Sequence, residues 1–190
     1  MARFSAFLDA CVLVPIALAD TLLRLAEADL YRPLWSDRVL DEMVEAIEVV
    51  HPDLALGAAR ARADAMQHAF DDACVTGWQS LESGIVLPDP DDRHVVAAAL
   101  RGRADIIVTA NLRDFPAESL GDMGLEVQHP DDFLLNQLDL EPDRTMASLH
   151  HQAAAMKRPN MATLNLLEHL ARCGVSRFAS EAAHQLWRGR

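Results

Sequence analysis

The sequence predicts an α/β fold, a parallel sheet flanked by helices, followed by an α-helical C-terminal extension. Two features of the chain carry that reading. Up to about residue 138, short apolar runs rich in β-branched residues alternate with stretches of helical period, the pattern of a parallel sheet covered on both faces. Beyond residue 138 the strand-like runs stop and only helical patterns remain. The expected division is an α/β domain at 1–138 and a helical extension at 139–190, without internal repeats or low-complexity tracts.

Each element follows from local chemistry. RFSAFLDA is a short strand ending near Asp9, and the run from Cys11 to Ala28 is a helix kinked at Pro15, with Leu22, Leu25 and Ala26 on one face. YRPLWS is a short extended piece, because the residue before Pro33 is pushed out of helical conformation. Ser36 is placed to cap DRVLDEMVEAIEVV, whose Val39, Leu40, Met43 and Ile47 form an apolar stripe. A further helix carries Leu56, Ala59, Ala63, Met66 and Phe70. GIVLP then reads as a strand, DDRHVVAAALRGR as a helix that Gly102 ends, and ADIIVTA and GLEVQ as two more strands. In the extension, TMASLHHQAAAMKRP, ATLNLLEHLARC and VSRFASEAAHQLW are helices, the last two separated by Gly174.

The chain has 190 residues, 51% of them hydrophobic and 24% charged, which fits a globular protein with a substantial core and excludes a disordered one. The early apolar run ACVLVPIALA is too short to span a bilayer and is broken by Pro15. No basic segment or small-residue cleavage site accompanies it, so no secretion signal and no membrane partner are expected, and the cytoplasm is the expected compartment. Cys11, Cys74 and Cys173 are odd in number, widely spaced and without a C-x-x-C pair, so buried thiols are expected, not disulfides or a zinc site. A net charge of −12 argues against electrostatic wrapping of nucleic acid. It leaves open binding of a basic segment, or a metal-dependent enzyme acting on phosphates, because bound cations reverse the local field.

The acidic residues are not scattered. Asp9 follows one strand-like run, the cluster Asp89, Asp91 and Asp92 follows GIVL, and Asn111 and Asp114 follow IIVT. In an open parallel sheet ligands bind beyond the carboxyl ends of strands, so these groups can share one crevice, and Glu42 joins from the apolar side of its helix. Carboxylates that close need a cation, and all-oxygen donors select Mg²⁺ or Mn²⁺ over zinc. Each residue also has an ordinary reading. Asp91 or Asp92 could be a helix N-cap, Asp9 and Asp114 turn residues, Glu42 a solvated helix carboxylate, and a helix N-terminus favours an acid by about 0.3–1 kcal/mol. Arg93 and His94 sit near the cluster and could touch a substrate phosphate, but read rather as solvated helix positions; His150 and His151 read as surface residues, and Asp131-Asp132 as a helix start.

With those residues located, the chain resembles the PIN-domain ribonucleases, specifically the VapC-like toxins of bacterial toxin–antitoxin pairs. The matching pieces are FLDACVLVP with Asp9, LDEM with Glu42, DPDDRHVVAAAL with Asp92, and DIIVTANLRDFP with Asn111 and Asp114, over residues 4–137. Many relatives carry an aspartate soon after the VT strand in a T-x-D-x-x-F arrangement; here Asn111 stands near that place and Asp114 three residues later. The resemblance implies a PIN-like sheet and Mg²⁺- or Mn²⁺-dependent endonucleolytic cleavage of RNA. It implies a catalytic set of Asp9, Glu42, Asp92, Asn111 and Asp114, with Asp9, Asp92, Glu42 and Asp114 holding metal and Thr109 and Asn111 orienting water. It also implies a cognate antitoxin and a homodimer. A haloacid-dehalogenase-type phosphatase is disfavoured, since Cys11 stands where that chemistry needs a second aspartate. The remaining alternative is a PIN fold acting only as an RNA- or protein-binding module.

Overall fold

A computed structural model describes residues 4–156 and 162–188. Its chain packs as two units, each with its own core. The first comprises residues 1–14 and 32–128, and the second residues 15–31 and 129–190.

The first unit is built on a five-stranded, all-parallel sheet in the order β3-β2-β1-β4-β5. The strands are β1 (Ser5–Leu8), β2 (Arg32–Ser36), β3 (Cys74–Val75), β4 (Ile106–Val108) and β5 (Glu126–Gln128). The central strand β1 aligns Phe7 with Leu34 on one side and with Ile107 on the other. Pro33 is tolerated because β3 pairs with β2 only at Trp35 and Ser36, so no neighbour needs the missing N–H at residue 33. The helices of this unit are α1 (Ala10–Leu13), α3 (Asp37–Val50), α4 (Ala58–Ala69), α5 (Gln79–Glu82), α6 (Arg93–Gly102) and α7 (Ala117–Leu120). Ser36 caps α3, its hydroxyl accepting from Val39 N–H, and Val39, Leu40, Met43 and Ile47 are buried as their spacing requires. In α6 every residue from His94 to Ala99 is buried.

Several expectations need correction. GIVL is not a strand: Ile85 and Leu87 are buried and Val86 is exposed, but the segment joins no ladder. Its alternation is that of a strand, whereas pairing depends on a partner that local pattern cannot reveal. The edge position belongs instead to β3, two residues long and too short to show any period. Leu56 is fully exposed, lying before the positive-φ Gly57 that precedes α4. Gly102 does not supply the turn after α6; Arg103 takes the left-handed conformation, at φ 54°. Gly102 is small for another reason. A Cβ there would stand 2.7 Å from Val75 Cγ2 and 3.2 Å from Leu34 Cδ1, so glycine sets how closely α6 approaches β2 and β3.

The second unit is helical: α2 (Ile16–Glu27), α8 (Pro130–Leu140), α9 (Pro142–Ala155), α10 (Thr163–Arg172) and α11 (Ser176–Arg188). Pro15 separates α1 from α2, as expected. The expected boundary at 138 falls inside α8, and α2 packs with α9 and α10, where Leu18, Leu22 and Leu25 are buried. A buried polar bridge joins two of these helices: Thr21 Oγ1 lies 2.7 Å from Gln152 Oε1, and Gln152 Nε2 donates to the Ala17 carbonyl at 2.9 Å. Tyr31 stacks edge-on against Phe133 at 5.0 Å and donates its hydroxyl to the Leu22 carbonyl. Residues 157–159 of the expected helix TMASLHHQAAAMKRP and Arg3 of the expected first strand lie outside the described residues. His150 and His151 are exposed, as expected.

Asp131 does more than start a helix. Its buried carboxylate accepts from Arg177 N–H at 3.2 Å and Phe178 N–H at 2.8 Å, capping α11 from α8. Such a cap is invisible in sequence because donor and acceptor lie about 46 positions apart. In thermal denaturation, Asp131→Ala is expected to cost about 1–2 kcal/mol, with Asp131→Asn costing less because it keeps an acceptor. Gly102→Val is expected to cost about 1–3 kcal/mol through overpacking. Gly121→Ala, where a Cβ meets nothing within 4 Å, should leave the midpoint nearly unchanged.

Candidate active site

Because all five strands are parallel, their carboxyl ends share one edge of the sheet. Asp9 leaves β1 there with its N–H on the Val108 carbonyl at 3.1 Å, and Thr109 leaves β4 with its N–H on Gln128 at 3.1 Å. The two side chains therefore meet: Thr109 Oγ1 donates to Asp9 Oδ2 at 2.7 Å. Ala10 N–H donates to Asp9 Oδ1 at 2.7 Å, and the Cys11 thiol reaches Oδ2 at 3.1 Å. The expectation of a simply buried thiol is corrected for Cys11. It is partly exposed and accepts from Ala110 N–H at 3.3 Å. Burial first, and Asp9 second, push this thiol up to about 12, so it stays protonated as a donor to Asp9. Cys74 and Cys173 are also partly exposed and free.

The acidic run before α6 divides its labour. Residues Pro90–Asp92 form a 3-10 turn capped by Asp89, whose carboxylate accepts from Asp91 N–H at 2.9 Å. Asp92 precedes α6 without capping it. The ordinary reading of Asp92 as a cap is thereby excluded, and its carboxylate is left for the site. Its environment is costly for charge. Burial, then the negative charges of Asp9, Asp89 and Asp114, raise it from 3.8 to about 6, while His94 acts in the opposite direction. Asp9 and Asp114 thus each lie within electrostatic reach of Asp92.

After β4, Asn111 N–H donates to Thr109 Oγ1 at 3.1 Å, and Asn111 Nδ2 donates to Asp114 Oδ2. Asp114 N–H returns to the Asn111 carbonyl at 3.3 Å, so Asp114 is both a turn residue and a member of the acidic group. Glu42 stands in a different arrangement. Its Oε1 receives Arg38 Nε at 3.2 Å and His94 Nε2 at 2.9 Å. Arg38 also reaches Glu82 Oε1 and the Asp91 carbonyl, each at 3.3 Å, tying α3 and α5 to the turn that carries Asp92. His94 is 1% exposed and not solvated, a second correction. Its place among buried alanines and valines of α6 was legible as position but not as chemistry. The spacing of four between Arg38 and Glu42 is the signal that the sequence carries for this pair.

Among the described residues, no three Asp, Glu, His or Cys side chains form a ready coordination group. The donor set nevertheless suits a hard divalent cation. Its carboxylates repel one another at a half-buried place, and a bound cation relieves that repulsion.

Comparison with known proteins bears on this site. The family model described as PIN domain matches residues 5–113, and the one described as VapC50 C-terminal domain matches residues 130–184. Over 91 residues the chain is 44% identical to a Mycobacterium tuberculosis protein named "Putative ribonuclease VapC50", covering 48% of this chain and 53% of that one. The chain thus spans about half the length of that relative. No solved structure matches the chain significantly.

The raised Asp92 carboxyl has a thermodynamic consequence. Between pH 3.8 and about 6 the folded chain holds a proton that the unfolded chain has released, so this group's contribution to stability falls as pH rises through that window. In chelator-treated protein, Asp92→Asn is expected to raise the unfolding midpoint relative to wild type at pH 7 and to lose that advantage near pH 4. A difference that does not change between the two pH values sinks this account.

Proposed function

The chain belongs to the PIN domain family, and from that premise we propose that it is a divalent-cation-dependent endoribonuclease and the toxin of a toxin–antitoxin pair. The observation that carries the reading is the Asp92 carboxyl, which feels Asp9, Asp89 and Asp114 at once at the carboxyl edge of the sheet. Asp9 and Asp92 would hold the principal Mg²⁺ or Mn²⁺, and Glu42 and Asp114 would complete the acidic pocket. When bound there, such an ion would supply Lewis acidity at the phosphodiester and a water acidified enough to attack at neutral pH.

The protein's own groups prepare that chemistry. Thr109 donates its hydroxyl hydrogen to Asp9, which fixes that carboxylate. Asn111 does the same for Asp114 through its side-chain amide. Water attacks phosphorus and gives up a proton to solvent, the P–O bond to the leaving oxygen breaks, and that oxygen takes a proton from solvent. The RNA enters as single-stranded segments whose bases can be splayed into a cleft. The antitoxin supplies basic side chains, drawn by the same negative field that collects the cation. The names of the matched family and relative support the ribonuclease reading, and the acidic group supports its need for a cation.

Purified protein is expected to cleave an RNA pool with Mn²⁺, to stop in excess chelator, and to recover when Mn²⁺ is restored. Asp9→Asn and Asp92→Asn should each lose more than the roughly 10–100-fold that removing a supporting group costs. Cleavage indifferent to chelator, or to both substitutions, refutes the mechanism. Protein that binds an antitoxin but cleaves no RNA points to a binding module. Induced in cells, wild type should arrest growth and Asp92→Asn should not; equal arrest removes nuclease action as its cause.

A further inference from the structure

We propose that His94 is a positioning residue for the acidic site, holding Glu42 so that one carboxylate oxygen is left for a divalent cation. This rests on the reading of the chain as a cation-dependent nuclease. The argument begins with a histidine that is 1% exposed in the middle of an apolar unit. Its Nε2 stands 2.9 Å from Glu42 Oε1, and since a carboxylate oxygen only accepts, Nε2 carries the hydrogen. Its Nδ1 is buried and has no partner among the described residues.

A buried orphan of this kind is costly, and an apolar side chain of similar size would avoid that cost. The bond to Glu42 is what histidine offers at this position and leucine does not. Trp78, itself buried, lies beside the ring at 5.9 Å between centroids and restricts its orientation.

The placement matters as much as the bond. His94 is two residues beyond Asp92 and lies in the first turn of α6, while Glu42 belongs to α3. The His94–Glu42 bond therefore sets the separation between the segment that presents Asp92 and the helix that presents Glu42. Arg38 reinforces it from the outer side: its Nε takes the same Oε1 at 3.2 Å, and its Nη2 reaches the Asp91 carbonyl at 3.3 Å. Both donors use Oε1 and neither uses Oε2. One oxygen is anchored and the other is available, which is how a supporting shell orients a ligand.

The test compares His94→Leu, which keeps bulk and loses the donor, with His94→Gln, whose amide nitrogen takes the place of Nε2. Mn²⁺ binding to RNA-free protein is measured by calorimetry, with thermal unfolding alongside to confirm folding. His94→Leu is expected to weaken Mn²⁺ binding about 10–100-fold while its unfolding midpoint is maintained, and His94→Gln to bind as wild type does. Should His94→Leu not fold, His94→Asn, polar but too short to reach Glu42, takes its place with the same expected loss. The inference is overturned if the donor-less variant binds Mn²⁺ as well as wild type or more tightly, which would mean that His94 sequesters Glu42. It is also overturned if His94→Gln loses as much as His94→Leu. Wild type that binds no Mn²⁺ defeats the functional reading and this inference together; wild type that binds, with His94→Leu unaffected, defeats the inference alone.

Discussion

Thr109 and Asp9 meet across two neighbouring parallel strands, and their 2.7 Å hydrogen bond fixes where negative charge sits at the edge of the sheet. The bond exists because β1 and β4 run in the same direction in a register that pairs Leu8 with Val108. A shift of one residue would turn Asp9 away and carry its alternating neighbours to the wrong face. Everything else in the acidic group is arranged around that point. Ala10 N–H occupies the other Asp9 oxygen, the Cys11 thiol lies alongside, and the loop after β4 folds back through Asn111 to hold Asp114.

Repulsion among carboxylates is usually avoided, and here it is contained by neighbours with different tasks. Asp89 serves the backbone, accepting an N–H and forming the turn, so Asp92 is free of capping duty. Arg38 offsets charge on the far side, engaging Glu42 and Glu82 and the Asp91 carbonyl together. It is more than a third exposed, so its ion pairs contribute little stability. Its value is in tying three segments together. The core beneath gives this rim its rigidity: α6 is buried from His94 to Ala99, and Gly102 lets its end approach β2 and β3.

Much of this was legible in the chain. Asp9, Asn111 and Asp114 could be placed because apolar runs such as FSAFL and IIVT end in polar residues, and strand ends in a parallel sheet share an edge. The place of Asp92 does not follow from a strand end, since GIVL before it is an unpaired segment; what the sequence carries is its nearness to the start of α6. What could not be read was pairing between distant groups. The histidine in HVVAAAL looks like any polar residue near a helix start until Glu42 is found opposite it. The carboxylate of Asp131 reads as part of its own helix until α11 is seen beginning above it. In both cases the deciding contact lies far along the chain and leaves no periodic trace.

The helical unit is assembled from two stretches separated by nearly the whole of the first unit, residues 15–31 and 129–190. On the ribosome, α2 emerges early with Leu18, Leu22 and Leu25 on an apolar face, and its packing partners α9 and α10 emerge more than a hundred residues later. During that interval the nascent chain carries an uncovered hydrophobic stripe of the kind that recruits chaperones or associates wrongly. Premature termination near residue 128 would leave α2 without those partners, so no single cut in the chain separates the two units cleanly.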